Sequence, residues 1–133
     1  MALTNIGGLD DLSLQIPAGP LVALAGTNGT GKSRFLASLL VPWTQAMPTP
    51  RDPSAVASID LSIEFDESEL DALQKFDGGA GWNQGRPPQH VVLHYKQVPL
   101  VGLNLTSEPS LLSITQCFTN SQLLGAHPSL NLV

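Results

Sequence analysis

Composition and charge limit what this chain can do. Its 133 residues include 6 Lys and Arg and 11 Asp and Glu, which gives a formal net charge of −5. The six basic residues are scattered along the sequence, so they do not form the basic cluster that a broad nucleic-acid-binding surface requires. The N-terminus has no basic region followed by an uninterrupted apolar core, so we expect neither a signal peptide nor a membrane span. A single cysteine, Cys117, excludes an internal disulfide framework and is typical of the cytoplasm.

The first third of the chain predicts the order strand, loop, helix. Residues 12–16 alternate apolar and polar side chains, the period of a half-buried strand. Residues 21–25 form a short continuous apolar run, which indicates a strand buried on both faces within an α/β sheet. Residues 32–41 predict a helix that ends at Pro42. Its apolar stripe would consist of Phe35, Leu36, Leu39 and Leu40.

A second strand and helix follow a proline-rich surface excursion at residues 44–55. Residues 59–65 alternate apolar with Asp, Ser and Glu, which predicts a half-exposed strand. Asp66 is placed to cap the next helix, with Glu69 as the other half of a capping box. That helix would be short, with Leu70, Leu73 and Phe76 on one face.

The remainder of the chain predicts one mobile loop, two strands and a helix. Residues 77–88 are rich in glycine and proline and indicate the mobile loop. Residues 91–95 and 98–105 predict strands, with Pro99 at an edge or bulge. Residues 110–124 predict a helix. The 129–133 segment resembles a strand that begins and is not completed, so we expect the chain to be a fragment or a truncated product.

The most specific motif is the glycine-rich stretch at residues 26–33, which has the pattern of a P-loop, or Walker A motif. Glycines let the backbone N–H groups at the start of a helix approach phosphate oxygens closely. Lys32 would reach the β- and γ-phosphates, and the hydroxyl of Ser33 would ligate Mg²⁺. The predicted nucleotide-binding residues are Gly26, Thr27, Asn28, Gly29, Thr30, Gly31, Lys32 and Ser33. The competing interpretation is a glycine-rich helix entry with an exposed lysine.

The variable positions of this loop, residues 27–30, resemble those of the ABC and chromosome-maintenance class of ATPases. Residues 6–16 are similar to the strand-turn-strand opening of RecF-like, OLD-type and bacterial defence AAA-type ATPases. The resemblance implies an α/β P-loop NTPase fold with a mixed β-sheet, ATP and Mg²⁺ as cofactors, and a catalytic role for Lys32. Residues 1–41 would supply lead-in strands, loop and helix, and residues 56–133 the remaining elements of one incomplete ATPase domain.

The sequence departs from that class at the elements that complete catalysis. It contains no Leu-Ser-Gly-Gly-Gln-like signature, and no fully apolar run leads into an Asp-Glu pair as a Walker B strand requires. Asp66 and Glu67 follow an alternating stretch instead. Hydrolysis therefore needs groups outside this chain. The glutamine that such ATPases place near the metal has four candidates that no motif separates: Gln84, Gln89, Gln97 and Gln116.

Other polar and aromatic residues have ordinary structural explanations beside functional ones. His90 and His94 could share a metal on a helix, but their apolar neighbours favour the polar face of a strand. Trp43 and Trp82 could stack on adenine, although packing is the more ordinary role for each. Arg34 would project away from the nucleotide toward solvent or a partner. The acidic residues, read as a solvated face, are Asp60, Glu64, Asp66, Glu67, Glu69 and Asp71.

Three functions remain open at the level of sequence. The first is an ATPase lobe, in DNA repair or anti-phage defence, that works as a homodimer or with a second ATPase head or effector protein. Nucleic acid would then be reached through other segments or partners. The second is a small phosphotransferase, which would need a lid with paired arginines, whereas the arginines are only Arg34, Arg51 and Arg86. The third is a non-catalytic nucleotide-binding interaction module.

Overall fold

The computed structural model describes residues 1–17, 21–76 and 88–108 as a five-stranded sheet with three helices. The strands lie in the spatial order β2-β1-β3-β4-β5, and every pair is antiparallel. The strands are β1 (Ala2–Thr4), β2 (Leu12–Ser13), β3 (Ala57–Glu64), β4 (His90–Val98) and β5 (Gly102–Glu108). The helices are α1 (Lys32–Leu39), α2 (Val41–Thr44) and α3 (Glu67–Phe76).

The centre of the sheet is built by the alternation of apolar and polar residues in β3. Ile59, Leu61 and Ile63 are buried and lie directly opposite Tyr95, Leu93 and Val91 of β4. These cross-strand pairs share one face and form most of the core, to which Leu3 and Ile6 add from the N-terminal segment. The strand predicted at residues 59–65 is therefore confirmed, and it begins two residues earlier than predicted.

Strands β4 and β5 are joined by a tight hairpin. The predicted strand at residues 98–105 is corrected, because Val98 ends β4 and residues 99–101 turn the chain before β5 begins at Gly102. Pro99 lacks a backbone N–H, which suits the turn rather than the ladder. Leu100 adopts a φ of +65° and Val101 is 80% exposed, so the tip presents apolar side chains to solvent.

The prediction of a buried strand at residues 21–25 is wrong. The segment is not among the five strands of the sheet, and Leu21 is 80% exposed. An apolar run forms a buried strand only where other strands pair with it on either side. Among residues 1–17, 21–76 and 88–108, no strand pairs with residues 21–25. The mixed sheet expected from the resemblance is likewise corrected, since the described sheet is wholly antiparallel. The broader prediction of a chain that combines helices and strands is confirmed.

The helix after the glycine-rich loop is shorter than predicted and divides in two. Helix α1 ends at Leu39 and α2 begins at Val41, so Pro42 occupies the first turn of α2 rather than stopping a continuous helix. Phe35 and Leu39 pack against the core, but Leu36 and Leu40 are nearly half exposed. The predicted apolar stripe is therefore half correct.

The N-terminal lead-in is also shorter in regular structure than expected. The strand predicted at residues 12–16 is only Leu12–Ser13, extended by a hydrogen bond from the backbone N–H of Leu14 to the carbonyl of Met1. Its partner β1, which sequence patterns did not reveal, is inserted between β2 and β3. Strand β3 thus pairs with β1 on one side and with β4 on the other.

The start of α3 is a capping box, as predicted. The Asp66 carboxylate accepts a hydrogen bond from the backbone N–H of Glu69 at 2.9 Å, and the Glu69 carboxylate accepts one from the N–H of Asp66 at 2.9 Å. The Ser68 hydroxyl also donates to Asp66, and this bond is the main cause that lowers the pKa of Asp66. These carboxylates therefore cap the N-terminus of α3.

We expect Asp66→Ala to lower the melting temperature of the chain by a few degrees at pH 7, because the backbone N–H groups of Ser68 and Glu69 lose a partner. A lowered pKa means that the ionised cap stabilises the fold above the ordinary value of 3.8 and loses its effect as the pH falls through the folded value. Thermal melts of wild type and variant should therefore converge as the pH falls below 3.8. A difference that stays constant with pH would contradict this origin.

Several predictions fall outside the described residues. They are most of the loop at 77–88, the helix at 110–124, the segment at 129–133, and the residues Trp82, Gln84, Arg86, Gln116 and Cys117. Within the described ranges, no helix combines the length and the apolar character needed to cross a bilayer.

Candidate functional site

The 26–33 loop leads directly into α1 and adopts a left-handed backbone at two glycines. Gly29 and Gly31 both have a φ of +85°, and Gly31 is the residue that precedes the first turn of the helix. The Gly31 carbonyl accepts the backbone N–H of Phe35 at 2.9 Å, and the helix begins without a side-chain cap because the residue at the cap position is glycine. The loop is exposed up to Thr30 and half-buried at Gly31 and Lys32. The first N–H groups of α1 therefore lie beside a solvent-exposed loop.

Two side chains of the loop bond back to its own backbone. The Lys32 ammonium donates to the carbonyls of Gly26 at 2.8 Å and Thr27 at 2.6 Å. The Thr30 hydroxyl donates to the Thr27 carbonyl at 2.9 Å. An ammonium has three donors, so Lys32 holds the loop closed and retains one N–H for an anion. The positive charge is thus kept over the loop rather than extended into solvent.

The glycines of the loop differ in how closely other atoms approach them. A Cβ at Gly31 would overlap Leu9 Cδ2 and lie 2.6 Å from the Gly8 carbonyl oxygen. A Cβ at Gly26 would lie 2.8 Å from the Thr30 hydroxyl. At Gly29 no atom lies within 4 Å of that position. Both close contact and conformation therefore require glycine at position 31, and conformation alone favours it at position 29, whereas a Cβ at position 26 would require the Thr30 hydroxyl to move.

The turn that contacts Gly31 belongs to the N-terminal segment. Leu9 is half-buried and packs against the core on one side and against Gly31 on the other. The backbone N–H of Gly7 donates to the Thr49 carbonyl at 2.8 Å, and that of Arg51 donates to the Asn5 carbonyl at 3.1 Å. The proline-rich excursion at residues 44–55 is therefore not simply a surface feature, because it holds the turn beside the 26–33 loop.

Asn5 joins these two segments and was missed by sequence reasoning. It is buried with a φ of +58°, a conformation that asparagine tolerates better than most residues. Its side-chain amide donates to the carbonyls of Asp52 at 2.9 Å and Ala55 at 3.2 Å, and its oxygen accepts the N–H of Asp52 at 2.8 Å. The local signal was an Asn before the Gly-Gly pair at 7–8, but its partners lie some fifty residues away.

An ion pair closes the same turn. Arg51 donates to Asp11 at 3.0 Å and to the Leu9 carbonyl at 2.9 Å. The backbone N–H of Asn5 also donates to the Asp11 carboxylate at 2.9 Å, and this bond is the main cause of the lowered pKa of Asp11. Partial burial opposes that shift, and Arg51 reinforces it. In the sequence, Arg51 is only one of three scattered arginines, and no local pattern marks it.

Ser33, the predicted Mg²⁺ ligand, is exposed at the start of α1. Its hydroxyl is a hard oxygen ligand, and Mg²⁺ commonly takes only one or two protein ligands together with phosphate oxygens and water. In the part of the chain that the structure describes, no group of three or more His, Cys, Asp or Glu side chains could hold a metal ion. The residues present fit a metal shared with a bound phosphate and do not form a cage of their own.

Arg34 is exposed, as predicted, and its aliphatic stem lies near Gly8. Trp43 lies in α2, half-buried against the core, which agrees with the structural role expected for it. Gln97 lies in β4 opposite Ala57, and the Gln89 carbonyl accepts the backbone N–H of Phe65 just before that strand. The glutamine that would approach the metal stays unassigned.

The two histidines lie on one face of β4 and are paired with side chains of β3. His94 contacts Asp60 through Nδ1 at 2.6 Å, and His90 contacts the Ser62 hydroxyl through Nε2 at 2.7 Å. Glu108 of β5 lies 3.7 Å from Nε2 of His94. The interpretation as a polar sheet face is confirmed.

Comparison with protein families, with curated proteins and with solved structures finds nothing that matches this chain. The site is therefore defined by its own residues and their geometry.

Proposed function

We propose that this chain binds ATP and Mg²⁺ through the 26–33 loop. The observation that carries the proposal is the pairing of two left-handed glycines at the start of α1 with a lysine ammonium held over the same loop. Support comes from the loop and its helix, and not from the sheet, whose described strands are all antiparallel. The absence from the sequence of an Asn-Lys-x-Asp motif favours adenine over guanine as the base.

Each group of the loop has a separate task in this proposal. Backbone N–H groups at the start of α1 bind phosphate oxygens, aided by the partial positive charge of about half a unit at a helix N-terminus. Lys32 compensates the charge of the outer phosphates, where it would contact the reacting group. The Ser33 hydroxyl orients Mg²⁺, which when bound neutralises phosphate charge. The glycines keep the surface of the loop free of Cβ atoms.

We further propose that the chain binds nucleotide without turning it over by itself. Hydrolysis requires a Walker B carboxylate and a group that orients water, and the sequence supplies neither in a recognisable motif. From the resemblance of residues 6–16 and 27–30, the working form would be a homodimer or a complex with a second ATPase head or an effector protein of the ABC and chromosome-maintenance class. DNA repair or antiviral defence would be its setting.

The direct test is calorimetric titration of the full chain with ATP, GTP and AMP, each with Mg²⁺ and with EDTA. We expect ATP with Mg²⁺ to bind and AMP to bind much more weakly, because AMP lacks the β- and γ-phosphates. No binding of ATP at millimolar concentration would overturn the proposal. Equal affinity for GTP would refute the choice of adenine and leave the phosphate site intact. Turnover of ATP by the purified chain would refute the claim that it needs a partner.

We expect Ser33→Ala to remove the Mg²⁺-dependent part of ATP affinity. Losing one oxygen ligand should weaken binding in Mg²⁺ by about tenfold, the effect of roughly 1.4 kcal/mol, and leave the affinity in EDTA unchanged. Ser58→Ala is the matched control, because it removes a serine hydroxyl from β3, outside the loop. If both variants bind as wild type does in Mg²⁺, Ser33 is not a metal ligand.

A further inference from the structure

We propose that Asp11 and Arg51 are positioning residues for the 26–33 loop and set its affinity for phosphate without touching the ligand. The inference rests on the proposed function of that loop. Its basis is a continuous set of contacts that runs from Arg51 through the turn at residues 5–11 to Gly31. Neither residue belongs to the P-loop motif, and neither is close to it in sequence.

The first step of this path is the closure of the turn by Arg51. Its guanidinium donates from one nitrogen to the Leu9 carbonyl at 2.9 Å and from the other to Asp11 at 3.0 Å. A guanidinium presents its donors in a rigid fork, so these two bonds determine the separation of Leu9 from Asp11. The Asp11 carboxylate also accepts the backbone N–H of Asn5 at 2.9 Å, which closes the other side of the turn.

The second step anchors Arg51 itself. The segment that carries it is bonded to Asn5 through the backbone N–H of Arg51 at 3.1 Å and through both main-chain groups of Asp52. Asn5 is buried, so its position is determined by the core. The segment at residues 51–52, which carries the guanidinium, is therefore anchored to the core through Asn5.

The third step transmits that position to the loop. The Gly8 carbonyl and the Leu9 side chain approach Gly31 so closely that no Cβ can be accommodated there. Gly31 adopts a φ of +85° and immediately precedes α1. A shift of Leu9 therefore changes the space in which Gly31 holds this conformation, and with it the direction of the first N–H groups of the helix.

The ion pair is ill-suited to a general role in stability. The side chains of Arg51 and Asp11 are 46% and 53% exposed, and exposed ion pairs contribute little to folding in most proteins. Arg51 instead links the Asp11 carboxylate to the Leu9 carbonyl, and Leu9 lies against Gly31 of the loop. We therefore expect that breaking the ion pair changes the conformation of the loop and its ATP affinity more than it changes the free energy of global unfolding.

The test uses the full chain in four forms: wild type, Arg51→Ala, Arg51→Lys and Asp11→Asn. Asp66→Asn is the matched control, because Asp66 is also an exposed carboxylate that accepts a backbone N–H, but in the cap of α3. The conformational readout is the amide resonance of Gly31. Thr30–Gly31 is the single Thr-Gly pair in the sequence, so ¹³C-carbonyl threonine combined with ¹⁵N-glycine labels one peptide bond alone. ATP affinity and the urea midpoint are measured on the same samples.

We expect Arg51→Ala and Asp11→Asn to shift the Gly31 resonance without nucleotide and to weaken ATP binding by about threefold to tenfold, since small displacements of a binding loop have large effects. Arg51→Lys should recover part of both, because an ammonium retains the charge and lacks the fork. Asp66→Asn should change neither. Urea midpoints of the Arg51 and Asp11 variants should fall no further than that of Asp66→Asn.

Two results would overturn the inference. One is an unchanged Gly31 resonance and ATP affinity in folded Arg51→Ala and Asp11→Asn. The other is a loss of affinity that merely follows the urea midpoint, with Asp66→Asn affected equally. Failure of the proposed function is a different result, in which wild type binds no ATP. The Gly31 resonance of the nucleotide-free chain then still decides whether Arg51 and Asp11 position the loop.

Discussion

Replacing Lys32 with alanine should weaken ATP binding by roughly tenfold to a hundredfold, because a hydrogen bond to a charged group contributes about 1.5–3 kcal/mol. The ammonium is the cation that the structure places over the 26–33 loop, where it bonds the carbonyls of Gly26 and Thr27. Its removal deletes both the charge and the contacts that hold the loop closed. Titration calorimetry with ATP and Mg²⁺ measures the change directly.

Lys96→Ala is the matched control for this substitution. Lys96 lies on β4 opposite Ser58 and outside the loop, so its loss removes the same charge from the chain without removing it from the site. We expect its ATP affinity to remain close to that of wild type. Equal weakening in both variants would indicate that net charge alone determines binding. Undiminished binding by Lys32→Ala would contradict the assignment of the loop.

The second large effect is expected at Gly31. An alanine there would need a left-handed backbone, which costs roughly 1–2 kcal/mol for a residue with a Cβ. Its Cβ would also overlap Leu9 and lie 2.6 Å from the Gly8 carbonyl oxygen. We therefore expect Gly31→Ala to lower the free energy of unfolding by about 2–4 kcal/mol and to abolish measurable ATP binding. Urea denaturation and calorimetry measure the two effects.

Gly29→Ala separates conformation from contact. Gly29 has the same φ of +85°, but no atom lies within 4 Å of the position that a Cβ would take there, so only the conformational cost of about 1–2 kcal/mol applies. Leu9→Ala is itself destabilising because Leu9 packs against the core, but the loss of stability in the Leu9→Ala/Gly31→Ala double variant should be smaller than the sum of the two single losses, since the overlapping methyl group is gone. Equal losses at Gly29 and Gly31 would show that the turn at residues 7–9 does not press on the loop.

Local patterns were sufficient for the features whose contacts are local. The capping box at Asp66 and Glu69 joins residues three apart, and the alternation in β3 reports a sheet face directly. The left-handed glycines likewise agree with the glycine spacing of residues 26–33. In each case the interacting groups are close in sequence, so their geometry depends little on the remainder of the fold.

Patterns failed where a partner in space was required. The run at residues 21–25 has the composition of a buried strand, yet no described strand pairs with it and Leu21 is 80% exposed. Leu36 and Leu40 continue the helical period of Phe35 and Leu39 but are nearly half exposed. Periodicity indicates what a segment can bury, whereas burial depends on what is packed against it.

By itself, the sequence determined the chemistry available at residues 26–33, because those residue types and their order are all that a phosphate-binding loop needs locally. Only the tertiary structure decided how that loop is supported. It brought Asn5, Asp11 and Arg51 into one network and placed Gly8 and Leu9 against Gly31. Arg51 lies some forty residues from the turn that it closes, and that proximity exists only once β1 and β3 have paired and the core has formed.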